Sequence, residues 1–312
     1  MQAEDIRPLV NNAPFTVTPA GPTIGAEVSD INLAETLDQA TFDALYATLM
    51  EYKVIYFRNQ KMTSDQQVAF GKRFGELEVH PFRPDLPDIP EMVVLDNHKD
   101  NPVLSTDIWH ADTTFRESPT RFSILRCMIK PEFGGDTLWA DMVSAYECLS
   151  NPVKEMITGL EALHDFKNFS LLYADDDEGQ QKLLKMRNQY PRPTHPVVRT
   201  HPDTGERVLY VNPQFTVRML GMSVKESDAI LNLLYEQSKT PEYQFRLHWE
   251  PDTLCMWDNA GVQHYASNDY WPHRRRMERV AVIGEKPYFD PDVKPVLEPK
   301  SVTRAHAYEG LH

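Results

Sequence analysis

The sequence predicts a mainly β protein with flanking helices, an α+β chain arranged as a β-sandwich or jelly roll. Two observations carry this prediction. Short β-rich runs bounded by Gly, Pro and Asp dominate both ends of the chain, and the few runs with helical spacing lie between them. With 312 residues, the chain is also long enough to bury a large core.

The first quarter of the chain alternates strands and helices. Residues 15–28 alternate in hydropathy and are broken by Gly and Pro, which predicts short strands. Residues 37–52 have apolar residues at helical spacing, and residues 53–59 read as a buried strand. Ser64 is the predicted N-cap of a helix over residues 65–75.

The second half of the chain is richer in strands. Residues 195–212 read as a hairpin around an Asp-Thr-Gly turn, and Ser223 with Glu226 forms a capping box for a helix. Residues 243–259 and 279–286 supply three more strands. The repeated strands favour a sheet-based core with helices outside it.

Two segments do not fit this regular pattern. Residues 168–193 form a long segment with an acidic run at 175–178 between regular elements, so they are either a lid over a site or a solvated surface insertion. The tail, residues 286–312, is rich in Pro and charge. We expect it to wrap the protein surface or a partner in an oligomer.

Composition excludes several classes of function. A formal net charge of -14 leaves no global basic field, so neither nucleic acid nor an anionic membrane is an expected partner. Three cysteines without CxxC spacing argue against disulfides and thiolate zinc sites. The beginning of the chain lacks the features of a signal peptide, and no run of 18 apolar residues occurs. We therefore expect a cytoplasmic protein in which a local basic cluster holds any anionic ligand.

A histidine two residues before a carboxylate recurs along the chain. The four pairs are His98/Asp100, His110/Asp112, His201/Asp203 and His248/Glu250. The first and third lie in predicted turns and the fourth at a strand end, so we expect surface positions for them. The second pair lies in "TDIWHADTTF", which reads as a buried strand whose i and i+2 side chains share a face. It is either a metal site or a hydrogen-bonded structural pair.

A third candidate ligand lies far along the chain, in residues 255–287. His264 follows a strand there and precedes an unusual basic cluster. On an extended chain Arg275, Met277 and Arg279 share one face, with the two arginines about 13 Å apart. A planar guanidinium suits bidentate binding of carboxylate or sulfonate. Two histidines and one carboxylate are the ligand set of non-haem Fe(II) oxygenases.

The chain resembles the taurine dioxygenase family, the Fe(II)- and 2-oxoglutarate-dependent enzymes that include alkylsulfatases and phenoxyacid dioxygenases. The resemblance lies in "WHADTTF", "GGDTLWADM", "HPVVRTHPDTGERVLYVN" and "WDNAGVQHYASNDYWPHRRRMERV", in the family's order and spacing. It spans roughly residues 15–290. It implies one dioxygenase domain over residues 1–312, folded as a double-stranded β-helix, which is a distorted jelly roll.

The resemblance also implies residue roles for the metal and the cosubstrate. His110, Asp112 and His264 match the iron ligands. Thr137 and Arg275 match the pair that holds the distal carboxylate of 2-oxoglutarate. Fe(II), 2-oxoglutarate and O2 are therefore the expected cofactor and cosubstrates.

For the substrate, the resemblance implies a pocket that receives a small anion. Arg279 matches the arginine that takes the sulfonate of taurine. His80 matches a histidine that lines this pocket, and Phe215 matches a pocket wall. From the residues alone, Phe215 reads as a core residue and His80 as a loop residue.

The sequence departs from the taurine enzymes at the substrate pocket. Arg83 stands where they have a Tyr three residues after the pocket histidine. Their Asp-Asn pair before the first iron ligand aligns with Thr106 and Asp107, or with Ser105 and Thr106 if the register shifts. A cation in place of the Tyr weakens recognition of an ammonium group.

The resemblance implies hydroxylation of a small organic sulfonate, or sulfate ester, at the carbon next to the sulfur or oxygen. The products would be sulfite or sulfate, an aldehyde, succinate and CO2. The hypothesis specifies a substrate without a nearby amine, or one with a second anionic group for Arg83. A dioxygenase of aryloxy or other carboxylates, and a jelly roll that binds metal or anion without turnover, are the alternatives. The family also implies a homo-oligomer.

Overall fold

The computed structural model describes residues 6–79, 88–101, 106–166, 177–297 and 300. Within these ranges the strands are β1 (Thr16–Pro19), β2 (Ala26–Ser29), β3 (Val54–Phe57), β4 (Val93–Asn97), β5 (Thr120–Ile129), β6 (Thr137–Asp141), β7 (Glu161–His164), β8 (Thr194–Pro196), β9 (Val198–Thr200), β10 (Arg207–Leu209), β11 (Thr216–Met219), β12 (Gln244–Leu247), β13 (Leu254–Asp258), β14 (Val262–Ala266) and β15 (Arg275–Ile283). The α-helices are α1 (Ile6–Asn11), α2 (Gln39–Tyr52), α3 (Ser64–Lys72), α4 (Met142–Glu147), α5 (Asn151–Ile157), α6 (Asp177–Gln189) and α7 (Val224–Tyr235).

A large sheet forms one side of the fold. Its strand order is β1-β2-β3-β13-β5-β15-β4, and all neighbours are antiparallel except β2 and β3. A smaller sheet of order β12-β6-β14 faces it. Strands β11-β7-β8 and the pair β10-β9 complete the β structure of the described chain.

The two sheets pack face to face through large apolar side chains. Trp139 of β6 is fully buried, with ring centroids 5.6 Å from Trp257 of β13 and 5.9 Å from Phe245 of β12. Val54, Leu125 and Met277 from three strands of the large sheet belong to the same cluster. Such interdigitation of two inner faces is the core of a sandwich.

Helices cover the outer face of the large sheet. A second apolar cluster joins α1, α2 and α3 to strands of that sheet, with Leu45, Met50 and Ile124 fully buried. Because both faces are covered, residues 120–127 of β5 are all buried. This explains why the strand reads as a continuous apolar run rather than an alternating one.

Local signals start the helices near the predicted positions. The capping box of Ser223 and Glu226 is present at α7. At α3, however, the cap is Thr63, whose side chain accepts from the backbone of Gln66, so the prediction of Ser64 is wrong by one residue. A threonine hydroxyl with a glutamine three residues later satisfies two free N–H groups, and the adjacent Ser64 offers no such pair.

The predicted hairpin over residues 195–212 is present as β9 and β10. The described part of the tail packs along this hairpin. Thr200 donates its backbone N–H to the carbonyl of Tyr288, and Val296 donates to Thr204. Residues 298–299 and 301–312 of the predicted tail lie outside the described residues.

The acidic segment over residues 168–193 contains a helix that its sequence does not predict. Residues 168–176 lie outside the described part, and α6 begins at Asp177. Leu183 and Met186 of this helix are buried in an apolar cluster that includes Phe215. Among the polar and charged residues of α6 they are joined by one other apolar residue, the exposed Leu184, so the helical pattern is weak and only the tertiary packing reveals it.

No helix in the described ranges combines the length and apolar character that crossing a membrane requires.

His201 contradicts its predicted surface position because it is fully buried in a network of charges. Its Nε2 lies 2.6 Å from Asp258 Oδ2. Arg121 donates to both Asp258 and Asp203. Burial opposes the charge of Asp258, but Arg121 and His201 hold its pKa well below the usual range. The pairing partners are distant in sequence, so the motif alone does not show them.

We predict that Arg121→Met lowers the free energy of unfolding by about 3–5 kcal/mol, because it leaves the buried Asp258 carboxylate without its main partner. Urea unfolding followed by circular dichroism measures this loss. Lys286→Met, which removes an exposed pair with Glu117, is the matched control and should change little. Equal stability of both variants would contradict the prediction.

Candidate metal centre and active site

Two histidines far apart in sequence meet through their backbones. His264 lies on β14, and the N–H of each histidine donates to the carbonyl of the other, at 3.0 Å from His110 and 2.7 Å from His264. The ring centroids are 4.1 Å apart. The chain around His110 therefore forms an isolated bridge beside β14.

The predicted strand over "TDIWHADTTF" is wrong beyond this bridge. Asp112 begins a turn, and Thr113 has a left-handed φ of 53°. Asn259 explains why the turn is stable. Its side chain accepts from the backbone N–H of Asp112 at 2.7 Å and donates to the carbonyls of Asp112 and Thr120 at 3.1 and 2.8 Å. The turn therefore points the Asp112 carboxylate toward the two histidines, although the chain does not form a regular strand there.

Three side chains converge at this point. Asp112 Oδ1 lies 3.9 Å from Nε2 of His110 and 3.9 Å from Nε2 of His264. All three residues are buried, and their nitrogen and oxygen donor atoms lie within 4.8 Å of one another. Within the described ranges, this is the one group of three or more His, Cys, Asp or Glu that could hold a metal ion.

Neighbouring groups fix which atoms face the centre. His110 Nδ1 lies 2.7 Å from the carbonyl of Ile108, so it donates there and leaves the lone pair of Nε2 free for a metal. Ser123 donates to Asp112 Oδ2 at 2.6 Å, which leaves Oδ1 facing the histidines. Sequence reasoning missed Ser123 and Asn259, since neither residue type in its local pattern indicates a role.

The protonation states also suit a metal. Burial lowers the pKa of His264 to about 3 and also lowers the pKa of His110, so both imidazoles are neutral. Burial would raise the pKa of Asp112, but the charge of Arg279 and the hydrogen bond from Ser123 hold it well below its usual range. Two neutral imidazoles and one carboxylate fit a divalent transition metal such as Fe(II).

Arg275 and Thr137 meet at one end of the two sheets. Arg275 Nη2 lies 3.4 Å from Thr137 Oγ1, and its Nε donates to the carbonyl of Gly135 at 2.9 Å. Trp249 also donates to Thr137, at 3.0 Å. Burial lowers the pKa of Arg275. A buried guanidinium beside a hydroxyl can bind a carboxylate through paired hydrogen bonds.

Arg279 lies next to the three converging side chains. Its Nη1 donates to Asp112 Oδ1 at 2.9 Å, and its side chain is 12% exposed. Arg275 and Met277 are buried on the same strand, as the predicted shared face requires. The two arginines therefore flank one site from a single strand.

Phe215 forms an apolar side of the same site. Its ring centroid lies 6.1 Å from that of His110 and 5.4 Å from that of Phe115. Leu183 and Met186 of α6 pack in the same cluster. The described part of the predicted lid segment, α6, thus belongs to the same apolar cluster as Phe215.

The structure describes only part of the residues predicted for the substrate pocket. His80, Arg83 and Ser105 lie outside the described residues. Thr106 accepts from the backbone N–H of Ala266 at 3.1 Å, and Asp107 is exposed. The hypothesis that Asp107 keeps a polar contact to substrate therefore stays a prediction.

Glu78 is a charged neighbour that the sequence does not reveal. It is buried, lies 3.0 Å from Arg116 and accepts from Thr120 at 2.9 Å. Burial raises its pKa, while Arg116 and Arg279 oppose this effect. It therefore adds a carboxylate near the cationic side of the site.

A β-sandwich with two buried histidines and one carboxylate at a converging point defines the class of non-haem iron oxygenases. The chain belongs to the family described as taurine catabolism dioxygenase TauD, TfdA family, whose profile matches residues 16–281.

Similar proteins include an alpha-ketoglutarate-dependent sulfate ester dioxygenase of Pseudomonas putida, 36% identical over 87% of this chain and 90% of that protein. An alkylsulfatase of Acinetobacter baylyi is 35% identical over 84% of this chain and 83% of its own length. The crystal structure of a taurine dioxygenase from Burkholderia xenovorans, 32% identical, superposes with a TM-score of 0.76 over 90% of this chain and 94% of that one.

These comparisons confirm the predicted family, the jelly-roll fold and the enzyme class. The chain is an Fe(II)- and 2-oxoglutarate-dependent dioxygenase that uses O2. Small-molecule substrates fit the names of these relatives, a sulfate ester dioxygenase and an alkylsulfatase.

The lowered pKa values predict that metal affinity depends only weakly on pH in mild acid. Because His264 stays neutral and the pKa of His110 is also lowered, protons compete little with Mn(II) between pH 7.5 and 5.5, and the Kd should rise by less than about tenfold. If the two histidines had ordinary pKa values, protonation of each would weaken Mn(II) binding about tenfold over this pH range. Calorimetric titration of the metal-free protein at both pH values measures this, and a loss of about a hundredfold would contradict it.

Proposed function

We propose that the protein hydroxylates a small organic sulfonate or sulfate ester at the carbon next to the sulfur or oxygen. The observation that carries the proposal is the position of Arg279, whose guanidinium lies 2.9 Å from the carboxylate of the candidate metal site. An anion bound there would place its adjacent carbon beside that site. The sulfate ester dioxygenase and the alkylsulfatase among the relatives support this substrate class.

In this proposal His110, Asp112 and His264 hold Fe(II). Ser123 and Asn259 hold the carboxylate ligand in place, so that Oδ2 of Asp112 accepts from Ser123 while Oδ1, which also accepts from Arg279, faces the metal. Bound iron with 2-oxoglutarate supplies the activation of O2, with one oxygen atom entering the substrate and the other entering succinate as CO2 is released.

Thr137 and Arg275 hold the distal carboxylate of 2-oxoglutarate. The guanidinium is buried and its Nε is already bound by the carbonyl of Gly135, so its orientation is fixed before the cosubstrate arrives. A fixed cation costs little entropy on binding and excludes cosubstrates without a second carboxylate.

Arg279 binds the sulfonate or sulfate oxygens, and Phe215 excludes water on the apolar side. His80 and Arg83 complete the pocket. Hydroxylation leaves a carbon that carries both a hydroxyl and the sulfur-containing group. Loss of the hydroxyl proton forms a carbonyl as the bond to sulfite or sulfate breaks, which gives the aldehyde.

Further proposals concern the chain as a whole. The dioxygenase domain spans residues 1–312, with a core over 15–290, and residues 168–193 close over the site. The protein acts in the cytoplasm as a homo-oligomer, on a small anionic substrate and without nucleic acid or membrane partners.

We predict that Asp112→Ala abolishes metal binding and turnover, because the site then lacks the negative charge that stabilises a bound cation. The fold should be kept, because only one of the three ligand side chains is removed. Circular dichroism checks the fold, and titration with Mn(II) checks the metal. Glu117→Ala, which removes an exposed carboxylate, is the control. Iron-dependent turnover by Asp112→Ala would contradict the ligand assignment.

The substrate class is tested by oxygen uptake of the enzyme loaded with Fe(II) and 2-oxoglutarate. The panel contains taurine, amine-free alkylsulfonates, alkyl sulfates and aryloxyacetates, with sulfite, sulfate and succinate quantified. We expect preference for an amine-free sulfonate or sulfate, and Arg83→Ala should relax the discrimination against taurine. Stimulation by carboxylates alone would overturn the sulfonate or sulfate proposal. An unchanged substrate preference in Arg83→Ala would show that Arg83 does not set the discrimination against taurine.

A further inference from the structure

A tight turn precedes the proposed cosubstrate threonine. Gly134 and Gly135 both have left-handed φ angles, 70° and 72°, two residues and one residue before Asp136. Two consecutive glycines have little conformational preference of their own, because glycine populates many backbone conformations at similar free energy. The conformation of this turn therefore depends on contacts from elsewhere.

Asp269 provides such a contact. Its Oδ1 accepts from the backbone N–H of Gly135 at 2.8 Å. It also fits closely over Gly134, where a Cβ would lie only 2.6 Å from the same oxygen. The carboxylate thus occupies the space that the missing side chain of Gly134 leaves open.

The turn holds the buried arginine in return. The carbonyl of Gly135 accepts from Arg275 Nε at 2.9 Å, and a Cβ on Gly135 would lie 3.1 Å from Arg275 Cδ. Asp269 therefore fixes the N–H side of the same glycine whose carbonyl fixes the arginine. Through one residue, an exposed carboxylate is connected to a buried guanidinium.

Neighbouring contacts reinforce the turn without replacing Asp269. Asp136 accepts from Arg246 Nε at 2.7 Å and lies 2.8 Å from His248 Nδ1. Its carbonyl accepts from the backbone of Ser267 at 2.9 Å. Arg246 Nη2 is 3.8 Å from Asp269 Oδ2, so the two acidic residues share one guanidinium.

We propose that Asp269 is a positioning residue for 2-oxoglutarate. It holds the Gly134-Gly135 turn so that the Gly135 carbonyl orients the guanidinium of Arg275 toward the distal carboxylate. The inference rests on the proposed roles of Thr137 and Arg275. It assigns no contact between Asp269 and the cosubstrate itself.

The test compares Asp269→Ala with Asp269→Asn in the full chain. Asparagine keeps an oxygen that can accept from Gly135 but removes the charge, whereas alanine removes both. Glu132→Ala, which removes an exposed charge from the same loop, is the control for a general electrostatic effect. Because Asp269 is about half exposed, at 51%, each variant should fold, and circular dichroism verifies this.

Binding of 2-oxoglutarate to the Mn(II)-loaded protein is measured by calorimetry without oxygen. We expect Asp269→Ala to raise the Kd for 2-oxoglutarate about three- to tenfold, the range for loss of one hydrogen bond. Asp269→Asn and Glu132→Ala should stay near wild type. In turnover, the KM for 2-oxoglutarate should rise in Asp269→Ala, while kcat and the Mn(II) affinity stay close to wild type.

Two outcomes would overturn the inference. One is an unchanged Kd in Asp269→Ala, and the other is an equal rise in Asp269→Asn or Glu132→Ala, which would indicate a charge effect. Failure of the wild-type protein to bind 2-oxoglutarate would instead overturn the proposed function, so the two failures are distinguishable.

Discussion

The pair of backbone hydrogen bonds between His110 and His264 is the constraint on which the site depends. These bonds join an irregular loop to β14 and bring two residues that are 154 positions apart in sequence into ring contact. Asp112 then reaches the same point through a turn that Asn259 holds from the end of β13. A regular strand would give the pair a shared face, but the turn places the carboxylate oxygen equally far from both imidazole nitrogens.

Two cationic side chains flank the site, although the net charge of the whole chain is negative. The protein carries a net charge of -14, yet one strand presents Arg275 and Arg279 to the site. Arg275 is buried and held by a carbonyl and a hydroxyl, which suits a receptor of fixed geometry. Arg279 lies beside the carboxylate of the candidate metal site, so an anion that it binds would be close to that site. In the proposed function, Arg275 binds the cosubstrate and Arg279 binds the substrate.

Sequence patterns predicted the features that depend on neighbours in the chain. The hairpin over residues 195–212, the cap of α7 and the shared face of Arg275 and Arg279 are all set by local periodicity and turn chemistry. Features set by distant partners were missed. His201 is buried against Asp258, which Arg121 also contacts, and the roles of Ser123 and Asn259 depend on contacts 11 and 147 residues away. The candidate ligands could be predicted from the sequence because histidine and aspartate are residue types that bind metals. Ser123 and Asn259, which hold the carboxylate in place, are ordinary polar residues that give no such signal.

A crystal structure of the protein, grown without oxygen in the presence of Mn(II) and 2-oxoglutarate, shows which side chains hold the metal and the cosubstrate. We expect one anomalous peak about 2.1 Å from His110 Nε2, Asp112 Oδ1 and His264 Nε2, the usual range of such bonds. The distal carboxylate of 2-oxoglutarate should lie on Arg275 and Thr137. A metal bound without Asp112, or a cosubstrate whose distal carboxylate lies on Arg279, would contradict the account.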